Sequence, residues 1–201
     1  MVATYEFTKI YKEYYSRILL YLTRIMGAED AEDTAQDVFE RVNNGLHRFQ
    51  GESRLSTWIY RIATNAAIDR SRSAAYKIKK EQVPIEKDSA DSFPGHREEI
   101  KPPSTDQLLI KKEMGECIDE YIDTLPDSYK TIIVLSEIEG FTNKEIAEVL
   151  KLSVENVKIR LHRARVKLKS VLNEVCDFYY TDDNTLACDR KQVQILTKKP
   201  E

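Results

Sequence analysis

The sequence predicts an all-α protein: two small helical domains joined by a flexible linker, followed by a short tail with the pattern of a β-hairpin. Apolar residues recur at steps of three and four over most of the chain, which is the period of a helix with one buried face. Charged residues make up 32% of the 201 residues, so those helices must carry charged outer faces. The period disappears over 74–104, which separates two helical regions.

The first domain, 1–73, is predicted to hold three helices. Helical periodicity covers 5–26, about 31–45 and about 54–73, and Gly27 and Gly45 mark the breaks between them. The linker, 74–104, is rich in proline, serine and mixed charge, which is typical of a solvated connection.

Periodicity resumes in the second domain, 105–172, and breaks once at Leu125-Pro-Asp. The tail, 173–201, has Thr181-Asp-Asp-Asn between two short runs with strand character, which predicts a turn between two strands.

Residues 142–172 predict a helix-turn-helix. Thr142 and Glu145 have the spacing of a capping box, in which each side chain satisfies a backbone N–H at the start of a helix. Lys151-Leu-Ser forms the turn, and Ser153 can cap a second helix. A solvated amphipathic helix of a bundle is the alternative. The basic outer face of the second helix favours DNA, since such a helix presents base contacts at its start and phosphate contacts along its flanks.

Charge is distributed unevenly, although the formal net charge is only −3. The stretch from Lys151 to Leu172 contains seven basic residues and one acidic residue. The stretch from Glu29 to Arg41 contains six acidic residues and one basic residue. This asymmetry predicts two surfaces with different partners.

Several function classes find no support in the sequence. It has no phosphate-binding glycine loop and no zinc-ligand spacing, so an enzyme interpretation has no motif behind it, and we expect no metal and no cofactor. The N-terminus lacks the basic and apolar pattern of a signal peptide, and no apolar run is long enough for a membrane span, so we expect a cytoplasmic protein without membrane insertion.

Two cysteines, Cys176 and Cys188, flank the predicted turn of the tail and are expected to lie opposite each other. Three interpretations stay open: small apolar packing residues, a thiol pair that responds to oxidation, or half of a metal site.

Two motif blocks resemble a known family. Asp30-Ala-Glu-Asp-Thr-Ala-Gln-Asp-Val-Phe and Phe49-Gln-Gly-Glu-Ser-Arg-Leu-Ser-Thr-Trp-Ile-Tyr-Arg-Ile-Ala-Thr-Asn resemble the first conserved domain of sigma factors. Val157-Lys-Ile-Arg-Leu-His-Arg-Ala-Arg, with the helix-turn-helix before it, resembles the second. Their order, linker and small size are similar to the extracytoplasmic-function group of the sigma-70 family, over about 5–73 and 105–172.

The resemblance implies a protein that binds core RNA polymerase, recognises the −10 and −35 elements of promoter DNA and helps to melt it. The polymerase would do the chemistry, so the resemblance implies no catalytic residue in this chain. An anti-sigma factor is a further partner that family members commonly have. A helix-turn-helix regulator that does not join polymerase is the alternative, and it would need a ligand or phosphoacceptor pocket that the first domain does not suggest. A pure interaction protein is a third class, against which the basic face argues.

The resemblance also assigns roles to residues. The acidic second helix is similar to the segment that docks on core polymerase, where a solvated acidic face is the plain alternative. The residues carried over for this contact are Asp33, Gln36, Asp37, Glu40 and Arg41.

The third helix, with 48–56 before it as pocket walls, resembles the reader of the −10 element. Asn65 has a donor and an acceptor for an unpaired base edge, and arginines would hold the backbone phosphates. Trp58 is interpreted as a core residue in preference to a base-stacking one. The −10 residues carried over are Arg61, Asn65, Arg70 and Arg72.

The second helix of the helix-turn-helix resembles the −35 reader. Ile159 offers only apolar contact, such as with a thymine methyl group, and Arg165 is better placed for phosphate. The −35 residues carried over are Asn156, Lys158, Ile159, Arg160, His162, Arg163 and Arg165.

Overall fold

The computed structural model describes residues 6–77 and 105–191; within them, the side chains of 72–77, 105–111, 113 and 116 lie outside the description. Nearly all of the predicted linker falls in the part that is not described. The described helices are α1 (Phe7–Met26), α2 (Ala28–Gly45), α3 (Leu55–Lys77), α4 (Thr105–Ile122), α5 (Asp127–Ile133), α6 (Asn143–Leu150) and α7 (Val154–Val175). A 3-10 turn (Leu46–Arg48), a π-helical turn (Val134–Ile138) and two strands, β1 (Cys176–Tyr180) and β2 (Leu186–Arg190), complete the elements.

The all-α prediction with a C-terminal hairpin is confirmed. Two details differ from it. α3 runs to Lys77, four residues beyond the predicted end, and residues 74–77 contain no glycine or proline that would stop a helix. The helix after Pro126 changes at Val134 from α to π hydrogen bonding, as when the N–H of Glu139 donates to the carbonyl of Val134, five residues back, at 3.0 Å.

Contacts divide the chain into two compact units. The first comprises Met1–Ala90 and Pro126–Ala164, and the second comprises Asp91–Leu125 and Arg165–Glu201. The helix-turn-helix up to Ala164 therefore groups with α1, α2 and α3. The domain boundaries predicted from the sequence, at 73, 105 and 172, stay a prediction.

The core of the first unit lies between α1, α2 and α3. Each helix contributes one apolar stripe, represented by Ile18, Val38 and Ile59, all of them fully buried. A polar pair also lies in this core: the Tyr21 hydroxyl and Thr64 Oγ1 are 2.7 Å apart, which satisfies two hydroxyl groups that burial would otherwise penalise. These stripes fix which faces of α2 and α3 remain outside.

In the second unit, β1 and β2 form an antiparallel hairpin, and β2 packs against α4. The turn between them is held by Thr181, whose N–H donates to the Thr185 carbonyl at 3.0 Å. Asn184 has a φ of 56°, the left-handed conformation that asparagine tolerates better than most residues.

Candidate nucleic-acid interface

The start of α6 is fixed by the predicted capping box, which the structure confirms. Thr142 Oγ1 accepts a hydrogen bond from the backbone N–H of Glu145 at 3.4 Å, and Glu145 Oε2 accepts one from the N–H of Thr142 at 2.9 Å. The hydrogen bond from the Thr142 N–H is the main cause that lowers the pKa of the Glu145 carboxyl below its ordinary value. The cap therefore works best when Glu145 is ionised.

The turn between α6 and α7 is equally determined by local contacts. Lys151 has a φ of 53°, a left-handed conformation that ends α6, and the N–H of Leu152 donates to the carbonyl of Ala147 at 3.0 Å. Ser153 Oγ accepts from the N–H of Asn156 at 3.2 Å and so caps α7. Buried Ala147, Val157 and Leu161 hold this turn on its apolar side.

The outer face of α7 carries the residues that were expected at the −35 element. Five of them are exposed: Asn156, Lys158, Ile159, Arg160 and Arg165. His162 and Arg163 are half-buried, so they present only part of their side chains. Ile159 is 50% exposed, so one apolar side chain lies among the polar and basic ones of this face.

A cavity of about 600 Å³ lies in front of α3. That volume falls within the range of sites that bind small ligands, and it is ample for one nucleobase. Gly45 closes one side: a Cβ atom there would lie 3.0 Å from Cζ2 of Trp58, so a larger residue would require the indole ring to shift. The lining residues are Gly45, Arg48, Phe49, Gln50, Glu52, Ser53, Trp58, Arg61 and Glu148.

Trp58 has surroundings that suit both interpretations, as a core residue and as a base-stacking one. Its ring is half-buried and packs on Phe49, with the ring centroids 5.1 Å apart, yet it also lines the cavity. The predicted walls, 48–56, contribute five of the nine lining residues.

The four residues expected at the −10 element have different surroundings. Arg61 lines the cavity, and Asn65, one turn further along α3, is half-buried. Arg70 is held by α2: its Nη2 lies 2.6 Å from Oδ1 of Asp30 and 3.5 Å from Oδ2 of Asp33. A DNA contact by Arg70 would have to replace these ion pairs. Arg72 lies on α3, and its side chain is outside the described part of the chain.

The acidic face of α2 is solvent-exposed as a whole. All five residues expected to contact polymerase are exposed, namely Asp33, Gln36, Asp37, Glu40 and Arg41. The opposite stripe, including Val38 and Val42, is fully buried against the core. α2 thus carries an exposed acidic surface whose position is fixed by the buried stripe on the other side of the helix.

The cysteines of the tail do not lie directly opposite each other, which corrects the sequence-based expectation. Cys176 pairs with Arg190, and Cys188 pairs with Phe178, so the two cysteines are diagonal neighbours on one face of the hairpin. The reason is that the hairpin centres on Asp183, and the cysteines are not equidistant from it.

A third cysteine, Cys117 on α4, joins this pair through side-chain hydrogen bonds to both thiols. Burial raises the pKa of Cys176 to about 11 and also raises that of Cys188. Cys176 is buried and Cys188 is half-buried. A protonated thiol is a poor nucleophile, so packing is favoured over an oxidation-sensitive pair. Within 6–77 and 105–191, no group of three or more His, Cys, Asp or Glu side chains is arranged to hold a metal ion.

Among the described residues, no helix combines the length and the apolarity that a membrane span requires.

Sequence reasoning missed the residues by which α6 and the segment before it contact α3 and its N-terminal end. Arg54 Nη1 donates to Glu145 Oε1 at 2.9 Å, and the Tyr60 hydroxyl donates to Glu139 Oε2. These partners are 91 and 79 positions apart in the chain, and no pattern in one sequence links residues so distant. The cavity could not be predicted from the sequence for the same reason, because Glu148 of α6 lines it together with residues from the distant segment 45–61.

Comparison with known proteins gives two family matches. Residues 10–76 match the family model described as Sigma-70 region 2, and residues 115–168 match the one described as Sigma-70, region 4. Both blocks that carried the resemblance fall within these ranges, whereas the cysteine-bearing hairpin lies outside them.

Curated relatives agree with these matches. The chain is 32% identical over 171 residues to the ECF RNA polymerase sigma factor SigW of Bacillus subtilis, covering 84% of this chain and 90% of that protein. It is 32% identical over 161 residues to the RNA polymerase sigma factor YlaC of the same organism, covering 80% and 88%.

Solved structures share the fold. The sigma factor RpoE of Bartonella quintana, in complex with the anti-sigma factor NepR, superimposes with a TM-score of 0.60 at 18% identity, covering 83% of this chain and 96% of that one. CnrH, in complex with the cytosolic domain of CnrY, gives a TM-score of 0.55 at 23% identity, covering 84% and 88%.

Proposed function

The chain belongs to the sigma-70 family of RNA polymerase sigma factors, in the extracytoplasmic-function group, and we propose that it divides promoter recognition among three of its helices. As a sigma factor it binds core RNA polymerase and directs initiation at specific promoters. The proposal concerns which residues do so, where the protein acts, and that it contributes no catalytic group of its own.

The observation that carries the proposal is the exposed basic face of α7, presented by a capped helix-turn-helix. A helix entering the major groove reads bases with its first outward residues, here Asn156, Ile159 and Arg160. Lys158 and Arg165 lie on the flanks, where phosphate contacts set the register. His162 and Arg163 would complete the surface with their exposed parts. The −35 element is the target that the family assigns to this helix.

The cavity in front of α3 is the proposed −10 reader. An unpaired base must leave its stack to be recognised, and a pocket with aromatic and polar walls stabilises it there. Trp58 and Phe49 supply the aromatic wall, while Arg48 and Arg61 supply positive charge near the sugar–phosphate chain. Asn65 would act beside the cavity. Arg70 would act only after leaving Asp30, and Arg72 remains a proposal from sequence alone.

The acidic face of α2 is the proposed contact with core polymerase. A negative surface favours a basic partner and orients it during encounter. Because the polymerase supplies the reaction centre, the chain would act wherever the polymerase acts, in the cytoplasm. Regulation by an anti-sigma factor is proposed as well, since RpoE and CnrH are each found with a partner, described for RpoE as an anti-sigma factor.

Reconstitution tests the proposal. The purified full-length chain, mixed with core polymerase, is expected to elute as one complex and to start transcription at promoters identified by mapping transcription starts after overexpression. Asn65→Ala should reduce initiation at those promoters without reducing association with core polymerase. Promoter binding by the chain without any polymerase association would contradict the proposal and favour a separate regulator.

A further inference from the structure

The C-terminal hairpin lies outside both family matches, and part of its apolar surface is uncovered. The Sigma-70 region 4 match ends at residue 168, before β1 begins. One face of the hairpin carries the cysteines at its base and three larger apolar side chains toward its turn, namely Phe178, Tyr180 and Leu186. The cysteines contact α4, whereas the three larger side chains are 40%, 68% and 39% exposed. Adjacent exposed apolar side chains on one face of a sheet are typical of a surface that a partner covers.

β1 also has a free edge. Among the described residues the sheet has two strands, and α4 packs against β2. The N–H of Thr181, just after β1, donates to the Thr185 carbonyl at 3.0 Å, which fixes the phase of the ladder. Hydrogen-bonded pairs alternate along an antiparallel ladder, so the backbone N–H and C=O groups of Phe178 and Tyr180 point away from β2. These groups therefore lie along the free edge of β1.

Little in β1 prevents this edge from pairing with another chain. Proteins usually protect an edge strand with lysine, proline or a bulge. The sequence of β1 is Cys-Asp-Phe-Tyr-Tyr, which contains neither lysine nor proline, and its pairing with β2 is regular along the whole strand. Addition of an extended segment to such an edge is a common mode of recognition. Backbone hydrogen bonds then give affinity, and the neighbouring side chains give specificity.

The hairpin is anchored to the rest of its unit, so the edge is already formed in the free chain. Arg190 Nη2 lies 2.6 Å from Oε2 of Glu120 on α4, and Cys117 of α4 contacts both cysteines of the hairpin. At the base, the Lys191 N–H donates to the Val175 carbonyl at 2.8 Å. A hairpin alone is marginally stable, whereas packing against a helix stabilises it. A preformed edge avoids part of the ordering cost of binding.

The charge of the hairpin indicates a basic partner. Residues 176–190 carry one basic side chain, which is paired with Glu120, and four exposed aspartates, namely Asp177, Asp182, Asp183 and Asp189. Asp177 and Asp189 are directly opposite each other, and like charges so placed weaken a hairpin. Lys191 Nζ, 3.5 Å from Asp177, offsets this repulsion in part. Of the two partners of a sigma factor, promoter DNA would be repelled by these aspartates, so the hairpin suits core polymerase.

We propose that the hairpin is a second docking surface for core RNA polymerase, in which the free edge of β1 accepts an extended, basic segment of the polymerase as a third strand. The backbone groups of Phe178 and Tyr180 form hydrogen bonds to that strand, and the exposed apolar face packs on its side chains. The aspartates attract its basic residues. This contact is separate from the one proposed for α2. It rests on the binding of core polymerase, which the chain shares with its family.

Methylation of single backbone amides tests the edge without altering any side chain. The full-length chain is assembled by ligating residues 1–175, expressed as a thioester, to synthetic 176–201, because Cys176 supplies the thiol that the ligation requires. N-methylation of Tyr180 removes an outward N–H of β1. The affinity for core polymerase, measured by fluorescence titration, should then fall about tenfold, as expected for the loss of one hydrogen bond.

N-methylation of Leu186 is the matched control. Leu186 lies directly opposite Tyr180, and its N–H points away from β1, toward the other edge of the hairpin. This variant should bind core polymerase as tightly as the unmodified ligated chain does. An unchanged affinity of the Tyr180 variant, or equal losses in both variants, would overturn the inference.

Photocrosslinking provides a second measurement that leaves the backbone intact. The photoreactive amino acid p-benzoylphenylalanine replaces Tyr180 in the full-length chain, which is mixed with core polymerase and promoter DNA. Mass spectrometry should identify a crosslink to a polymerase peptide that contains lysine or arginine. Crosslinks only to the DNA, or only to a second copy of the chain, would overturn the inference. Failure of the unmodified chain to bind core polymerase would instead count against the function itself, so the two failures are distinguishable.

Discussion

Helices α2 and α7 are built alike and yet carry opposite charge outside. Each buries one apolar stripe, with Val38 fully buried in α2 and Val157 fully buried in α7, and each leaves a polar face exposed. The outer face of α2 is acidic and that of α7 is basic. The two helices thus present electrostatic fields of opposite sign, and we expect each field to attract a partner of the opposite charge.

Reversing charge on the acidic helix should have the largest effect. Asp37→Lys places a positive charge where we expect a basic polymerase surface, and like charges at an interface cost several kcal/mol. A loss of about 100-fold in affinity for core polymerase corresponds to ~3 kcal/mol. Fluorescence titration of labelled chain with core polymerase measures it. Glu13→Lys, the same change on an exposed residue of α1, is the control; equal losses in both variants would remove α2 from the polymerase contact.

Removing one proposed base contact from the basic helix should have the next largest effect. Arg160→Ala is expected to weaken −35-dependent initiation by about 1–3 kcal/mol and to relax the preference for one base pair. Arg165→Ala is the matched control, because loss of a phosphate contact weakens all sequences alike and reduces the salt dependence of binding by about one unit of slope. Transcription from promoters with single −35 substitutions distinguishes the two. If Arg160→Ala weakened every promoter equally, its assigned base contact would be wrong.

Removing the side-chain cap of α6 should have a smaller effect, which falls on the stability of the fold. Thr142→Ala deletes the hydroxyl that accepts the Glu145 N–H, which should lower the free energy of unfolding by about 1 kcal/mol. Thr142→Ser keeps an acceptor and should retain most of that stability. Chemical unfolding followed by circular dichroism measures both variants. An unchanged midpoint in the alanine variant would show that packing alone holds α6.

The smallest expected effect is a dependence on pH. The folded pKa of Glu145 is lowered, chiefly by the backbone hydrogen bond from Thr142, so its ionised form stabilises the fold. That contribution is fully present above the unfolded pKa of the carboxyl and is lost as the pH falls through the folded pKa. An NMR titration of the Glu145 carboxyl should give a midpoint below that of an ordinary glutamate. Glu145→Gln should remove this part of the acid sensitivity, and an unaltered acid-unfolding curve would contradict it.

Features that depend on neighbours in sequence were predictable. The capping box follows from two residues three positions apart, and the buried stripe of α7 follows from its spacing, as Val157, Leu161 and Ala164 illustrate. Such features need only local backbone geometry, so a single sequence contains them.

Features that depend on distant partners were not predictable. Arg70 was interpreted as a phosphate contact, yet it pairs with Asp30, 40 positions away, and either role suits an arginine. The diagonal placement of Cys176 and Cys188 depends on the length of the turn that sets the strand register, which composition does not reveal. The contact between Tyr60 and Phe141 left no periodic trace either.

The π-helical turn at Val134–Ile138 has a consequence for how this protein can change over evolutionary time. A π-type hydrogen bond joins residues five positions apart and so encloses one residue more than an α-type bond does. This segment therefore holds a residue that a regular α-helix has no place for. Losing that residue would let the α pattern run through and turn the residues that follow it within this helix by about 100°, the angle of one residue in a helix with 3.6 residues per turn. The direction in which the chain leaves this helix toward the helix-turn-helix is therefore encoded in a segment outside the residues that we assign to DNA.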